Sequence, residues 1–447
     1  MNQRDEDGGF AWARLTPQQL GKAIELHRAY LRGQIGGARA SFHLMDLSYL
    51  DLSGHDLRQA DLTGARLHGT LLTGANLSTA TLFAADLRQA DLRKADLTRA
   101  DLRGAYMRGA NLADALLIEA DLRDGSLFRA DNRGELQGIG PISPAADIAA
   151  AVATRANMTG ARMSKAFIVQ TDLTDTVLRG VKLVRADLSN CNLTGSNLEG
   201  ADLTECNLTG AILHGAVLMN VTLSETNFEG ADLAGAILGA LASESAVFQG
   251  AKMPRSFDSL GREMREIVDS HRAWIATAGK KGRRADLSRV DMAGMDLSGL
   301  GLSAGNFEFA ILKDCRLTEA ELLMAELSFA DLRGASMAAA DLRGATLRRA
   351  NLTGANLVNV RAGPVLLQGA TSQMWPTRLE NAKLNGANLV AADLHQAVLT
   401  GADLSDANLQ GADLRGAVLL DAVCHGADLR GARLEGIDLR GAKGLKR

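Results

Sequence analysis

Cysteine, proline and aromatic residues are scarce in this chain. Its 447 residues hold four cysteines, six prolines, three tryptophans and three tyrosines, and aromatics make up 4%. Apolar runs of the ~20 residues needed to cross a bilayer are missing. The start, Met1 to Gly9, is polar and acidic, without the basic-then-apolar order of a leader. A cytoplasmic chain without membrane contact is expected. Net charge is missing too: 49 basic against 52 acidic residues leave −3. A chain built to bind phosphate backbones directly would be strongly basic, so direct nucleic-acid binding is not expected. Glycine-rich phosphate loops, HExxH and nucleophile elbows are all absent. The expected sets of catalytic, cofactor-binding and metal-binding residues are therefore empty, and an enzyme is not expected.

What the chain has is a period. An aliphatic or aromatic residue recurs every fifth position from Phe42 to Leu127, usually with a small residue two places before it. The pattern shifts phase and resumes from Met158 to Met253, then Leu287 to Leu357, then Leu379 to Leu439. Within the second run Ser243 is the single polar occupant. Five matches neither the helical 3.6 nor the strand 2.0, and fixed self-similarity of this kind marks a solenoid. All six prolines lie outside or at the edge of the runs, as a ladder requires, because proline has no N–H to donate. Cys191, Cys206 and Cys315 stand two before the periodic residue and Cys424 replaces it. All four thus occupy inward positions, where a free thiol acts as a small hydrophobe.

A typical unit reads Ala-Asp-Leu-Arg-Gly, at Ala330 to Gly334 and again at Ala340 to Gly344. This resembles the pentapeptide repeat family across all four runs. The resemblance implies an all-β solenoid, a right-handed quadrilateral β-helix with four units per coil. It also carries a functional alternative: some members look like duplex DNA, bind DNA gyrase or topoisomerase, and protect it from quinolones or toxins. Such mimicry needs rows of uncompensated carboxylates. Here Arg often follows the Leu, as at Arg58, Arg88, Arg103, Arg333, Arg343 and Arg430, beside the Asp that precedes it.

The layout reads as an internal duplication. Residues 1–39 form an N-terminal tail and capping helix, and 40–255 a first β-helix interrupted at 133–155. Residues 256–284 form an internal capping or linker helix, and 285–447 a second β-helix interrupted at 358–378. Thr16, Pro17 and Gln19 fit a capping box, with Leu20, Ile24, His27 and Leu31 along one face. His27-Arg28-Ala29-Tyr30-Leu31 returns as His271-Arg272-Ala273-Trp274-Ile275 in a second helix, expected from about Asp258 to Ala278. Ser143 followed by Ala145 to Ala153 predicts a short helix. Val358 to Arg378 reads as a degenerate coil with a loop near Trp375-Pro376. No helix follows the last unit, which leaves a coil edge for a homodimer.

Function is then expected on the walls: a non-enzymatic scaffold or protein–protein interaction module, possible self-assembly included, with an unknown protein partner and no cofactor. Residues twenty apart should share a face. In the first run this gathers Tyr49, Arg66, His68, Arg88, Tyr106, Arg108, Phe128 and Arg129, either a binding surface or a solvated wall. In the third run Phe309 and Phe329 should stack, with Leu323 and Met324 nearby, and Val398, Val418 and Leu420 form a stripe in the fourth. Exposed apolar stripes mark partner surfaces; cover by the interrupting loops is the alternative.

Overall fold

The computed structural model describes residues 12–130, 136–139, 145–238, 248–367 and 373–445. It divides into two units, Met1–Lys252 and Met253–Arg447, built alike. Parallel bridges join residues twenty apart, as in Ser41, Asp61, Thr81, Asp101 and Asp121 of unit 1 and Asp286, Asn306, Glu326 and Thr346 of unit 2. Bridges recur every five residues, so twenty residues and four five-residue units make one coil. The fold is a repeat β-helix.

Each side of a coil bonds in both directions along the stack. Leu72 N donates to the Asp91 carbonyl at 2.8 Å, and Asp91 N donates to Thr70 at 3.0 Å. The next corner closes with Ala75 N on the Leu72 carbonyl at 3.0 Å. That corner holds its residue in the left-handed region whether it is Gly64 (φ 61°) or Phe309 (φ 59°). Glycine accepts this freely, whereas a side chain costs roughly 1–2 kcal/mol.

The axis is filled by the periodic residues: Leu72, Leu203 and Leu332 are at most 1% exposed, and Ala75 beside Leu72 is fully buried. Each such leucine contributes about 1.5–3 kcal/mol gross. Several threonines and cysteines in the inward small position donate to the carbonyl 23 residues earlier, whereas the Ser196 hydroxyl there is buried without a hydrogen-bond partner. Thr70 reaches Leu47 (2.9 Å), Thr171 reaches Ile148 (2.7 Å), and the thiols of Cys191 and Cys315 reach Ile168 (2.8 Å) and Met292 (2.9 Å). Burial pushes the Cys191 and Cys206 thiols up to about 12, and Cys315 and Cys424 up to about 11.

Both units open with the same cap. In unit 1, β1 (Ala13–Arg14) pairs in parallel with β2 (Met45–Asp46) on the first coil, and α1 (Pro17–Leu31) follows. Thr16 and Gln19 close the capping box. His27 is buried and its Nδ1 accepts the Ala40 N–H at 3.0 Å. In unit 2, β5 (Arg255–Ser256) pairs with β6 (Val290–Asp291), and α2 (Met264–Ala276) carries His271, whose Nδ1 accepts the Ala285 N–H at 3.0 Å. Helix α2 starts later than the sequence pattern implies. Phe257–Leu260 forms a 3₁₀ turn instead, ended by Gly261 at φ 60°.

The interruptions differ from the sequence reading. The first run leaves the axis after Leu122, because Leu127 opens β3 (Leu127–Ala130), antiparallel to β4 (Leu136–Ile139). Residues 145–153 are not helical: Asp147 and Val152 bridge to Tyr106 and Asn111, and Ile148 and Ala153 are fully buried on the axis. Alanine satisfies an inward small position as readily as a helix, and the five-step continues backward from Met158. Ser143 lies outside the described residues. The second interruption is not a coil but a hairpin, β7 (Val365–Leu367) with β8 (Gln373–Trp375). Ala362 still sits on the axis, and Thr346 bridges directly to Arg378. Buried Thr377 ties the insertion down, donating to the Leu342 and Gly363 carbonyls (3.0 Å each) and accepting from Gly344 N (2.9 Å).

Candidate interaction surface

The walls start from one local device. The Asp before each axis residue accepts the N–H two residues on, an Asx turn, and an Arg at that second position folds back onto the same carboxylate. Arg88 grips Asp86 with Nε and Nη2 at 2.8 Å each, and Arg103–Asp101, Arg333–Asp331 and Arg430–Asp428 repeat the geometry. The Arg93 guanidinium holds Asp91 below the usual carboxylate range, and Arg415 lowers Asp413 to about 2. Wherever the unit reads Asp-Leu-Arg, the wall presents a closed ion pair.

The predicted face of unit 1 is brought together only in part. Arg66 and Tyr106 stand in one bridge column with Asp46, Asp86 and Asp147, and His68, Arg88 and Arg108 succeed one another two residues further along. Arg66 lies 4.7 Å over the Trp12 ring, Arg88 is held by Asp86, and Tyr106 is 6% exposed, with burial pushing its hydroxyl up. Tyr49, 68% exposed, meets His68 edge-on at 5.4 Å, and Arg108 is exposed. Phe128 and Arg129 are not in this stack. They belong to β3, which has left the coil, and their side chains lie outside what the structure describes.

In unit 2 the predicted stripes share one side. The bridge column Asn306, Glu326, Thr346, Arg378, Val398 and Val418 forms its spine. Phe309 and Phe329 line one corner, stacked at 4.9 Å and 19° with Arg289 5.3 Å above the Phe309 ring. Met324 lines the opposite corner, next to Leu323. A Cβ on Gly344 would touch Met324, Val365 and Trp375 together, so the β7–β8 hairpin leans on that edge. Leu420 follows Val418 on the same side, and all three residues of this stripe are half-buried.

Between these corners is a cleft of about 580 Å³, lined by Glu308, Glu326, Ser328, Phe329, Thr346, Arg348, Arg349, Glu380 and Asn381. Ser328 and Thr346 are short and form its floor. Glu308 and Glu326 stand at one end, where burial first, then the Glu326 charge, raises Glu308 above the usual range. Arg348 and Arg349 stand one coil beyond Ser328. Glu380 holds Arg378 at 2.7 Å and Arg348 at 3.4 Å through Oε1, while its Oε2 is buried without a hydrogen-bond partner. Of this lining, sequence reasoning named Phe329 alone. The step of twenty links Glu308, Ser328 and Arg348, but Glu380 comes 32 residues after Arg348 because the hairpin intervenes.

Among the described residues, no group of three or more His, Cys, Asp or Glu could hold a metal ion, and no helix is long and apolar enough to cross a membrane.

A family model described as pentapeptide repeats matches residues 38–131, 145–239, 302–361 and 377–443 in overlapping segments. Similar solved structures include HetL, a pentapeptide repeat protein involved in heterocyst differentiation regulation from the cyanobacterium Nostoc sp. strain PCC 7120. It is 23% identical, over 82% of this chain and 92% of its own, with a TM-score of 0.24. Rfr23 from the cyanobacterium Cyanothece 51142 is 29% identical over 28% of this chain and 85% of its own, with a TM-score of 0.24. QnrB1, a plasmid-mediated fluoroquinolone resistance protein, is 20% identical over 45% of this chain and 89% of its own, with a TM-score of 0.33. No curated protein matches the chain.

Proposed function

The chain belongs to the pentapeptide repeat family, and we propose that it is a non-enzymatic scaffold, wound as right-handed quadrilateral β-helices, that docks a protein on one side of unit 2. The observation that carries this reading is the contrast between walls. Asp-Leu-Arg units neutralise their own carboxylates at 2.6–2.8 Å. On the chosen side the Asp-Leu-Arg unit gives way to Glu326, Ser328, Thr346 and Arg348, and a cleft, an aromatic stack and an apolar stripe line that side. An interface needs such a desolvatable centre with a polar rim.

The gyrase-binding alternative is not favoured, because carboxylates already held by arginine present no duplex-like row of charge. A supercoiling assay with quinolone should show neither protection nor inhibition at micromolar protein. The scaffold reading is tested by photo-crosslinking in lysate of the source cells, with benzoylphenylalanine placed at half-buried Leu323 on the rim of the cleft or, as a control, at Asp202. A discrete adduct from position 323 and none from 202 supports it. Equal yields from both, or none from either, overturn it.

A further inference from the structure

We propose that the loop between α2 and the first coil of unit 2 binds an acidic segment of the docked protein, one with several carboxylates and no cation among them. This rests on the scaffold reading and names the chemistry that the partner brings to one end of the docking side.

The two caps are built alike, and this loop is where their charge differs. Gly37 and Gly282 align them: a Cβ on either would strike the backbone of its own helix, at Tyr30 N in unit 1 and at the Ser270 carbonyl in unit 2. Arg39 and Arg284 then correspond, each donating through Nε to a corner carbonyl twenty residues on, Gln59 or Ala304. Within this frame unit 1 carries Ile35, Gly36 and Ala38 where unit 2 carries Lys280, Lys281 and Arg283. From Ser270 to Ala285 the sequence has five basic residues and no acidic one.

On the walls an Asp-Leu-Arg unit closes its own ion pair. Here, among the described residues, none of Lys280, Lys281 and Arg283 makes an ion pair, and all three are exposed. The carboxylates nearest in sequence are engaged, Asp269 by Arg272 at 3.6 Å and Asp286 by Ser288 and Asn306. The loop is also held in place. Lys281 N donates to Thr277 Oγ1 at 2.8 Å, Lys280 N to the Thr277 carbonyl at 3.2 Å, and Arg283 N to Ser270 Oγ at 3.0 Å. These amides are used inside the cap and give no backbone nest for a phosphate. The loop presents three separate side-chain cations, which carboxylates spaced along a chain match better than a single phosphate group does.

The loop adjoins the docking side. Arg284 is anchored on Ala304, whose N–H donates to the Leu323 carbonyl at 2.7 Å, so the end of the loop lies one coil from the Leu323 and Met324 corner. Asp286 opens the bridge column that continues through Asn306, Glu326 and Thr346. A partner resting on the rim at Leu323 therefore reaches the cations within roughly 10 Å, two coil spacings. Glu308 and Glu326 would repel an acidic segment laid over the cleft, which directs it to the loop.

The probe is a fluorescein-labelled, end-blocked Gly-Glu-Asp-Glu-Glu-Gly, titrated with the full chain by anisotropy at about 50 mM salt. Saturable binding is expected, at least about tenfold weaker for the neutral Gly-Gln-Asn-Gln-Gln-Gly. The triple variant Lys280→Gln, Lys281→Gln, Arg283→Gln should lose a similar factor. A wall triple of equal charge change, Arg58→Gln, Arg93→Gln, Arg430→Gln, should lose less than about twofold. Circular dichroism melts of both variants separate lost binding from lost folding. Equal affinity for the two peptides, a folded loop triple that binds unchanged, or an equal loss in the wall triple overturns the assignment. An eight-nucleotide single strand bound tighter than the acidic peptide, or retention on phosphatidylserine vesicles, with either abolished in the loop triple, would assign the loop to phosphates and overturn it as well. An adduct from position 323 alongside any of these results would leave the scaffold reading standing and this ligand chemistry refuted.

Discussion

Acid should unlatch both caps. His27 and His271 accept a backbone N–H at Nδ1 from the first residue of each β-helix, at 3.0 Å in both units. Only the neutral ring can accept there. Burial is the largest cause lowering both histidines below 6.5. Around His27 the Asp56 charge works the other way, while Arg39 and Arg58 reinforce the lowering; around His271, Arg284 reinforces it. At Nε2, His271 meets the Ser303 carbonyl at 2.8 Å, whereas His27 Nε2 is buried without a partner. The folded state therefore prefers the neutral form. The stabilisation is complete above the unfolded-state value near 6.5 and is lost as pH falls below it toward the lower folded-state value.

Protonation leaves a buried amide facing a second donor, which costs ~1–3 kcal/mol per site. The Ala40 and Ala285 amides should then exchange faster at pH 5 than at pH 7.5, by up to about 30-fold after correction for intrinsic rates, the limit set by an open-state histidine value near 6.5. Trp274, stacked on His271 at 5.7 Å and 14°, gives a second readout, because its fluorescence should fall as the ring becomes cationic. In His27→Gln the acid response at Ala40 should vanish and that at Ala285 persist, and His271→Gln should do the reverse. If both variants keep the full response of the parent, these histidines do not latch the caps.

Three other outcomes follow from the packing. Leu203→Asp puts a carboxylate on a fully buried axis site and should cost more than about 3 kcal/mol in urea titrations. Asp202→Ala loses the partly exposed turn bonds to Thr204 and the exposed 3.6 Å ion pair with Lys182 and should cost ~1 kcal/mol or less; similar losses would refute the inward and outward assignment. The four thiols, buried and pushed up to about 11 or 12, should resist Ellman's reagent at pH 8 until denaturant is added. Arg333→Ala strands the Asp331 side chain, 6% exposed, and should cost ~3 kcal/mol. Arg430→Ala, whose own side chain is 80% exposed, should cost under ~1 kcal/mol, and equal melting shifts would contradict the pairing model.

The five-residue step was readable because each coil side has one axis slot and one small slot, so composition repeats wherever geometry does. Where the chain leaves the coil that logic misleads. Leu127 keeps the step for one unit beyond the stack, being a strand residue that happens to be leucine. Residues 145–153 look helical because alanine, good in helices, is also what the inward small slot requires. The hairpin at 365–375 hid the cleft for a similar reason: it interposes residues between neighbours in the stack, so Arg348 and Glu380 show no common period. The Asp–Arg contacts were legible because they span two residues on one coil. Contacts between coils cross an insertion of unstated length.

This difference in span also bears on why the docking side is proposed in unit 2. A charge pair two residues apart forms inside every unit that contains it, regardless of neighbours, so repeating the unit repeats a neutral wall and gives no address. A distinctive site needs residues that break the unit, and it needs them on successive coils at one corner. Phe309 and Phe329 do this at about +60° φ, where an aromatic residue is strained and glycine would serve the turn better. Phe329→Gly should therefore relax the corner while removing half of the stack at 4.9 Å. If the ring serves docking, the variant should lose the photo-crosslinked adduct from position 323 with its melting temperature unchanged or raised. A fall in melting temperature with the adduct intact would make the stack a structural feature.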